Sequence, residues 1–136
     1  MASAKKGSAL EDEFLVRFCL RHPDLPDPVE QYTEIEPWLT HLEYRKSVES
    51  SRCRKWIADL AWPEAKVIVE LQGGVWFKGQ SGHGNAKGLL RDYAKAVTAQ
   101  AGGWLFFPLA APQIKEDHYL DLIANSIRQR QPPEQP

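Results

Sequence analysis

Two apolar segments of this chain flank a proline turn: Lys55-Trp-Ile-Ala-Asp-Leu-Ala-Trp62 and Lys66-Val-Ile-Val-Glu-Leu-Gln72. Each segment has the length and the β-branched or aromatic content that are typical of a strand. Pro63-Glu64-Ala65 separates them, and proline is favoured early in a turn. The stretch therefore predicts an antiparallel hairpin that closes with Trp62 opposite Val67.

This register places two acidic residues opposite each other. Asp59 and Glu70 are equally far from the turn, so we expect their Cβ atoms about 4.5–5.5 Å apart. Two like charges at that distance repel each other and raise a pKa unless something neutralises them, and no arginine of the hairpin shares their face. Gln72 lies on the same face as Glu70, whereas the opposite face is apolar. The pattern favours a cation site over a purely structural sheet face, which is the alternative.

The two carboxylates suit Mg²⁺ or Mn²⁺. These hard cations take oxygen ligands, keep several waters and share their coordination with phosphate groups. A cation held by Asp59 and Glu70 could polarise a phosphodiester and lower the pKa of a bound water. Gln72 could orient that water, although an amide takes no proton at neutral pH. These residues predict metal-assisted phosphodiester hydrolysis.

The chain before the hairpin begins with a helical pattern. Ser8 and Glu11 form a capping box, and apolar residues up to Leu20 continue at mostly helical spacing. Residues 23–28 are rich in aspartate and proline and predict a loop. A short strand is a candidate near residues 43–46.

Helical spacing returns after the hairpin. A glycine-rich stretch, residues 79–88, predicts a loop, and the helix that follows is predicted to stop at Gly102-Gly103. Residues 104–108 predict a short buried strand, and residues 114–128 predict a closing amphipathic helix. The apolar residues that recur on the helix before Gly102 are Leu89, Leu90, Tyr93, Ala94, Val97 and Ala101.

The order of these elements predicts an α/β fold with a small mixed sheet flanked by helices. The length of 136 residues fits one domain, expected over residues 8–128, between a flexible start (1–7) and a flexible Pro-rich tail (129–136). No stretch approaches the roughly 18 apolar residues of a membrane span, and no signal peptide is evident. A cytoplasmic protein without a membrane partner is therefore expected.

Charge is balanced overall but not locally. The formal net charge of −1 means that the protein lacks the overall positive charge that indicates nucleic-acid binding. A local basic stripe either contacts DNA phosphates or forms an ordinary solvated surface. Its members are Arg45, Lys46, Arg52, Arg54 and Lys55.

A longer series of anchors has a recognisable spacing. The anchors are Arg54-Lys-Trp56-Ile-Ala-Asp59-Leu-Ala61-Trp62-Pro63, Val69-Glu70-Leu-Gln-Gly73-Gly74, His83, Asp92, Lys95 and Gly103-Trp104. This series resembles the PD-(D/E)XK nuclease superfamily, in particular its very-short-patch-repair-like branch, which includes some phage homing endonucleases. The resemblance covers roughly residues 54–107, and Glu11 fits it more loosely.

The resemblance implies a restriction-endonuclease-like αβββαβ core and Mg²⁺-dependent cleavage of double-stranded DNA. Asp59 and Glu70 would be the metal ligands, and His83 and Asp92 would be further active-site residues. Without the resemblance, His83 would be read as an inert surface histidine. Lys95 either belongs to a surface charge cluster with Asp92 and Arg91 or replaces the missing strand lysine in steadying phosphate charge. Lys87 and Arg91 are additional candidates for DNA contact.

Three functional hypotheses follow. The first is an endonuclease on double-stranded DNA in a bacterial or phage-infected cell, for which a homodimer is a candidate assembly because the domain is small. The second is a structure-selective nuclease or resolvase that acts on junctions or flaps. The third is a catalytically inactive DNA-binding or assembly protein, which Gln72, Ala94 and Val97 motivate because relatives often carry other residues at those positions.

Overall fold

A mixed four-stranded sheet flanked by helices forms the framework, which confirms the predicted α/β class. The computed structural model describes residues 9–36, 38, 56–72 and 86–131. The elements of these residues are α1 (Ala9–Arg21), β1 (Val29–Tyr32), β2 (Ala58–Trp62), β3 (Val67–Gln72), α2 (Ala86–Ala101), β4 (Leu105–Ala110), α3 (Ala111–Ile114) and α4 (Asp117–Arg130).

The predicted hairpin is confirmed in its register. The strands β2 and β3 are antiparallel, with Trp62 opposite Val67 and Leu60 opposite Val69. The turn closes by a 3.1 Å hydrogen bond from the backbone N–H of Ala65 to the carbonyl of Trp62. Lys66 ends the turn at a φ of 57°. The strand β2 begins three residues later and β3 one residue later than the predicted segments, and both strands end where the pattern predicts.

The other two strands complete the sheet in the order β1-β2-β3-β4. The sequence pattern did not predict β1, which pairs antiparallel with β2. The chain passes through α2 between β3 and β4, and these two strands are parallel. Pro108 lies on β4, where an edge strand tolerates its missing N–H. The candidate strand near residues 43–46 lies outside the described residues.

Both faces of the sheet are buried, which corrects the expectation of one apolar face and one open face that carries acids. The first core packs Leu60 and Val69 against α1, α3 and α4. The second core lies on the other face, where Ala61 and Ile68 are fully buried with Ala99 of α2. The two carboxylates therefore lie beside a packed core and not on an open sheet surface.

The helix α2 presents a different face to the sheet from the one its apolar residues predict. Lys95 and Ala99 are buried, whereas Leu89, Tyr93 and Val97 are 49%, 60% and 66% exposed. Small alanines along the inner face let the helix approach the sheet closely, and the long lysine reaches past them. The expectation that the large apolar residues form the inner face is wrong.

The closing helix extends to Arg130, two residues beyond the predicted end. The guanidinium of Arg130 donates to the carbonyl of Lys66 at 3.0 Å and to the carbonyl of Gly103 at 2.8 Å. These bonds fasten the last turn of α4 to the hairpin turn and to the start of β4. Within the described ranges, no helix is both long and apolar enough to cross a bilayer.

We expect Gly103→Ala to lower the free energy of unfolding by about 1 kcal/mol. Gly103 has a φ of +89°, a conformation that costs a residue with a side chain, and the added Cβ would meet only the Lys66 Nζ at an ordinary 3.7 Å. Gly102→Ala is the matched control, because Gly102 lacks the positive φ. Urea denaturation of both variants measures the difference, and equal losses would contradict the prediction.

Candidate metal centre

Asp59 and Glu70 face each other at the open end of the hairpin. The register that pairs Leu60 with Val69 places Asp59 opposite Glu70 one step further from the turn. Here side chains supply the bonds between the strands: the backbone N–H of Asp59 donates to Glu70 Oε2 at 3.0 Å, and the N–H of Leu71 donates to Asp59 Oδ2 at 2.8 Å. A backbone N–H of β2 thus holds the Glu70 carboxylate, and a backbone N–H of β3 holds the Asp59 carboxylate.

Lys95 brings a positive charge to this pair from α2. Its Nζ lies 3.1 Å from Glu70 Oε1 and donates to the carbonyl of Ile57 at 2.7 Å. Both Lys95 and Glu70 are only 7% exposed, so this ion pair is shielded from solvent. The interpretation of Lys95 as part of a surface charge cluster is wrong, and the sequence missed that a helix residue neutralises Glu70.

Trp38 holds the lysine in place from the other side. Its indole ring lies 5.3 Å from Lys95 Nζ, a cation–π distance, and its Nε1–H donates to the carbonyl of Lys95 at 3.2 Å. Trp38 is 1% exposed. No sequence pattern predicts this contact, because Trp38 and Lys95 are 57 positions apart.

Burial raises the pKa of Glu70 to about 7 from an ordinary 4.5. Desolvation of the carboxyl is the largest cause; the Lys95 charge opposes it, and the nearby Asp59 charge adds to it. The carboxyl group therefore exchanges its proton near neutral pH. A cation that binds Glu70 has to displace that proton below about pH 7.

One carboxylate oxygen of the pair has no partner among the described residues. Both oxygens of Glu70 and Oδ2 of Asp59 accept hydrogen bonds, which leaves Asp59 Oδ1. Each carboxylate oxygen also has a second lone pair, so Asp59 and Glu70 could together hold one divalent cation. The described chain contains no group of three acidic, histidine or cysteine side chains placed for a metal. Water and phosphate oxygens would complete the shell, as they usually do for Mg²⁺.

Gln72 and Asp92 adjoin the pair. Gln72 ends β3, and its Nε2–H donates to Asp92 Oδ2 at 3.4 Å. Asp92 lies three residues, nearly one turn, before Lys95 on α2, and Arg91 precedes it with a half-buried side chain. The structure therefore brings Asp59, Glu70, Gln72, Asp92 and Lys95 together at one end of the sheet.

A second buried acid lies one strand away. Glu11 of α1 is 3% exposed, and Gln31 of β1 donates its side-chain amide to both Glu11 oxygens at 3.4 Å. The register of β1 and β2 places Gln31 opposite Asp59, and its φ of 54° interrupts the strand there. A polar row thus continues from Glu70 across β2 to α1. The sequence associated Glu11 with helix capping and only loosely with this site.

The remaining candidate residues cannot be located relative to the pair. Lys87 falls within α2, but its side chain is outside the described part. The other candidates that lie outside the described residues are His83, Arg45, Lys46, Arg52, Arg54 and Lys55.

Comparisons of this chain with models of protein families, with curated proteins and with solved structures find no match. Its function must therefore be inferred from the arrangement of its own side chains.

Proposed function

We propose that this protein is a Mg²⁺- or Mn²⁺-dependent endonuclease that hydrolyses phosphodiester bonds of double-stranded DNA. The observation that carries the proposal is the opposed pair of Asp59 and Glu70 with the buried Lys95 3.1 Å from Glu70. Two acids can hold a cation that polarises a phosphodiester, and a lysine can stabilise the negative charge that develops on it. The sequence resemblance to PD-(D/E)XK nucleases supports the same chemistry.

Each residue has a distinct role in this proposal. Asp59 and Glu70 would hold the cation, which, when bound, supplies Lewis acidity and a water of lowered pKa. The Leu71 N–H and the Asp59 N–H fix the two carboxylates, so little reorganisation is needed when the substrate arrives. Gln72 lies on the strand next to this position and could orient a water.

Lys95 acts on both Glu70 and the substrate in this scheme. An ammonium group has three N–H donors, and two of them reach Glu70 and the carbonyl of Ile57. In this proposal the third would donate to a phosphate oxygen and stabilise the negative charge that develops there. Such DNA chemistry would take place in the cytoplasm of a bacterial or phage-infected cell.

The test of this proposal is metal-dependent nicking. Supercoiled plasmid incubated with the purified protein is expected to become nicked or linear in Mg²⁺ or Mn²⁺ and to stay supercoiled in EDTA. Without DNA, millimolar Mn²⁺ is expected to raise the melting temperature, because a ligand that binds only the folded state stabilises it. The proposal fails if neither cation gives nicking above a mock preparation.

A catalytically silent DNA-binding protein is the second candidate. Three of the four carboxylate oxygens of Asp59 and Glu70 already accept hydrogen bonds, and Lys95 already neutralises Glu70. Such a closed network is stable without a metal. This candidate predicts duplex binding with no nicking and no rise in melting temperature on addition of Mn²⁺.

A further inference from the structure

A pocket of about 340 Å³ opens beside the candidate metal centre. It lies between α2, the end of β3 and the strand β4, which continues into α3. Its volume is at the lower end of the range of about 300–1,000 Å³ that is typical of small-ligand sites. The side chains that matter for its chemistry are Gln72, Asp92, Tyr93, Phe106 and Gln113.

The described lining of the pocket favours a hydrogen-bond donor over a phosphate. Among the described residues, no lysine, arginine or histidine lines it, whereas the Asp92 carboxylate does. An anion placed there would be repelled by Asp92 without a compensating cation. An occupant that donates a hydrogen bond to the Asp92 carboxylate fits this lining better.

The walls of the pocket favour a flat ring. Tyr93 is 60% exposed and contributes an aromatic ring, and Phe106 and Leu89 add apolar surface. The amide groups of Gln72 and Gln113 lie on the same lining as Asp92 and offer both donors and acceptors. Apolar and aromatic walls combined with a carboxylate acceptor match a nucleobase, which stacks through its rings and donates through an exocyclic amine.

The position of the pocket connects it with the candidate metal centre. Gln72 is two residues beyond Glu70 on β3, a step of about 6.6 Å along a strand. Asp92 lies nearly one helical turn before Lys95 on α2. The pocket therefore lies within reach of a nucleotide whose phosphate contacts Asp59 and Glu70.

We propose that this pocket binds a single nucleobase that carries an exocyclic amino group, outside the base stack, next to the phosphate at the metal centre. The inference rests on the proposed nuclease function and adds a preference to it: cytosine, adenine or guanine over thymine, the one DNA base without an exocyclic amino group. A base inside a duplex cannot reach such a pocket, so the nucleotide has to be unstacked first.

The test uses short single-stranded oligodeoxycytidine and oligothymidine of equal length, titrated by fluorescence anisotropy in EDTA. Cytosine and thymine are similar in size, but only cytosine has an exocyclic amino group that can donate a hydrogen bond to Asp92. We expect the cytosine strand to bind at least about fivefold more tightly than the thymine strand. We expect Asp92→Ala to remove this preference and Tyr93→Ala, but not Tyr93→Phe, to weaken both complexes.

Equal affinity for the two strands, or a preference that survives Asp92→Ala, would overturn the inference. The melting temperature of each variant shows whether it is folded, and Tyr93→Phe keeps the ring at the same site. Because the titration needs no metal, it is independent of nicking: a cytosine preference without nicking would refute only the nuclease function. Nicking without the preference would refute only the base pocket.

Discussion

Asp59→Asn and Glu70→Gln are each expected to lower metal-dependent nicking by about a thousandfold or more. The amides keep the shape of the carboxylates but lose the charge that holds a divalent cation. Cation catalysis is worth several kcal/mol, and each 1.36 kcal/mol of barrier corresponds to a factor of ten in rate. Initial nicking rates on supercoiled plasmid at saturating Mn²⁺ measure the effect.

Glu64→Gln is the matched control for these two variants. Glu64 lies in the turn of the same hairpin and is exposed, so its substitution removes an equal charge away from the site. We expect its nicking rate to stay within about twofold of the wild type, since surface substitutions usually have small effects. Wild-type nicking by both Asp59→Asn and Glu70→Gln would show that the pair has no catalytic role.

Lys95→Met is expected to lower the free energy of unfolding by about 3–5 kcal/mol at alkaline pH. Methionine keeps the length and the helix propensity of lysine but leaves the buried Glu70 carboxylate without its counter-charge. It also removes the 2.7 Å bond to the carbonyl of Ile57 and the contact with the Trp38 ring. Denaturant unfolding of the metal-free protein at several pH values provides the measurement.

The loss in Lys95→Met depends on pH with a definite sign. The pKa of Glu70 is raised to about 7, so the folded protein keeps this proton where the unfolded chain, with an ordinary pKa of 4.5, has released it. Stability at this group therefore falls as pH rises from about 4.5 to 7. Lys95 opposes the raised pKa, so its removal extends the fall beyond pH 7. The variant should lose less stability near pH 5, where only the Ile57 and Trp38 contacts are missing, than near pH 8.5, where the Glu70 charge is also unpaired.

The double variant Lys95→Met/Glu70→Gln separates charge from packing. A neutral glutamine needs no counter-charge, so we expect the double variant to recover much of the stability that Lys95→Met loses near pH 8.5. A loss in Lys95→Met that is the same at both pH values, with no recovery in the double variant, would show that the ion pair contributes nothing and that lysine packing alone matters.

The sequence could predict those parts of the fold that depend on local pattern. Period-two spacing around a proline turn determined the register of β2 and β3, and hence the opposition of Asp59 and Glu70. Helical spacing placed α1 before the proline-rich loop of residues 23–28 and α2 before Gly102-Gly103. The hairpin register and the helix positions depend on residues that are close in sequence, so they can be predicted from residue type and spacing.

The rest depends on contacts between distant segments. The large apolar residues of α2 recur at helical spacing, and so the pattern predicted Leu89, Tyr93 and Val97 as the inner face. Ala99 instead faces the sheet. Lys95 is buried because its charge pairs with Glu70 and contacts the Trp38 ring. The strand β1 has too few residues and too little alternation to be recognised before its partner β2 is known.

The parallel pairing of β3 with β4 has a consequence for how the protein assembles. A hairpin such as β2-β3 forms within about 1–10 μs because its ends are close in the chain. The strand β4 can join only after α2 has crossed over, and contacts between residues far apart in sequence form slowly. During folding, Asp59 and Glu70 should therefore come into contact before Lys95 packs against them. Refolding should be fastest at mildly acidic pH, because the repulsion between the two carboxyl groups is then smallest.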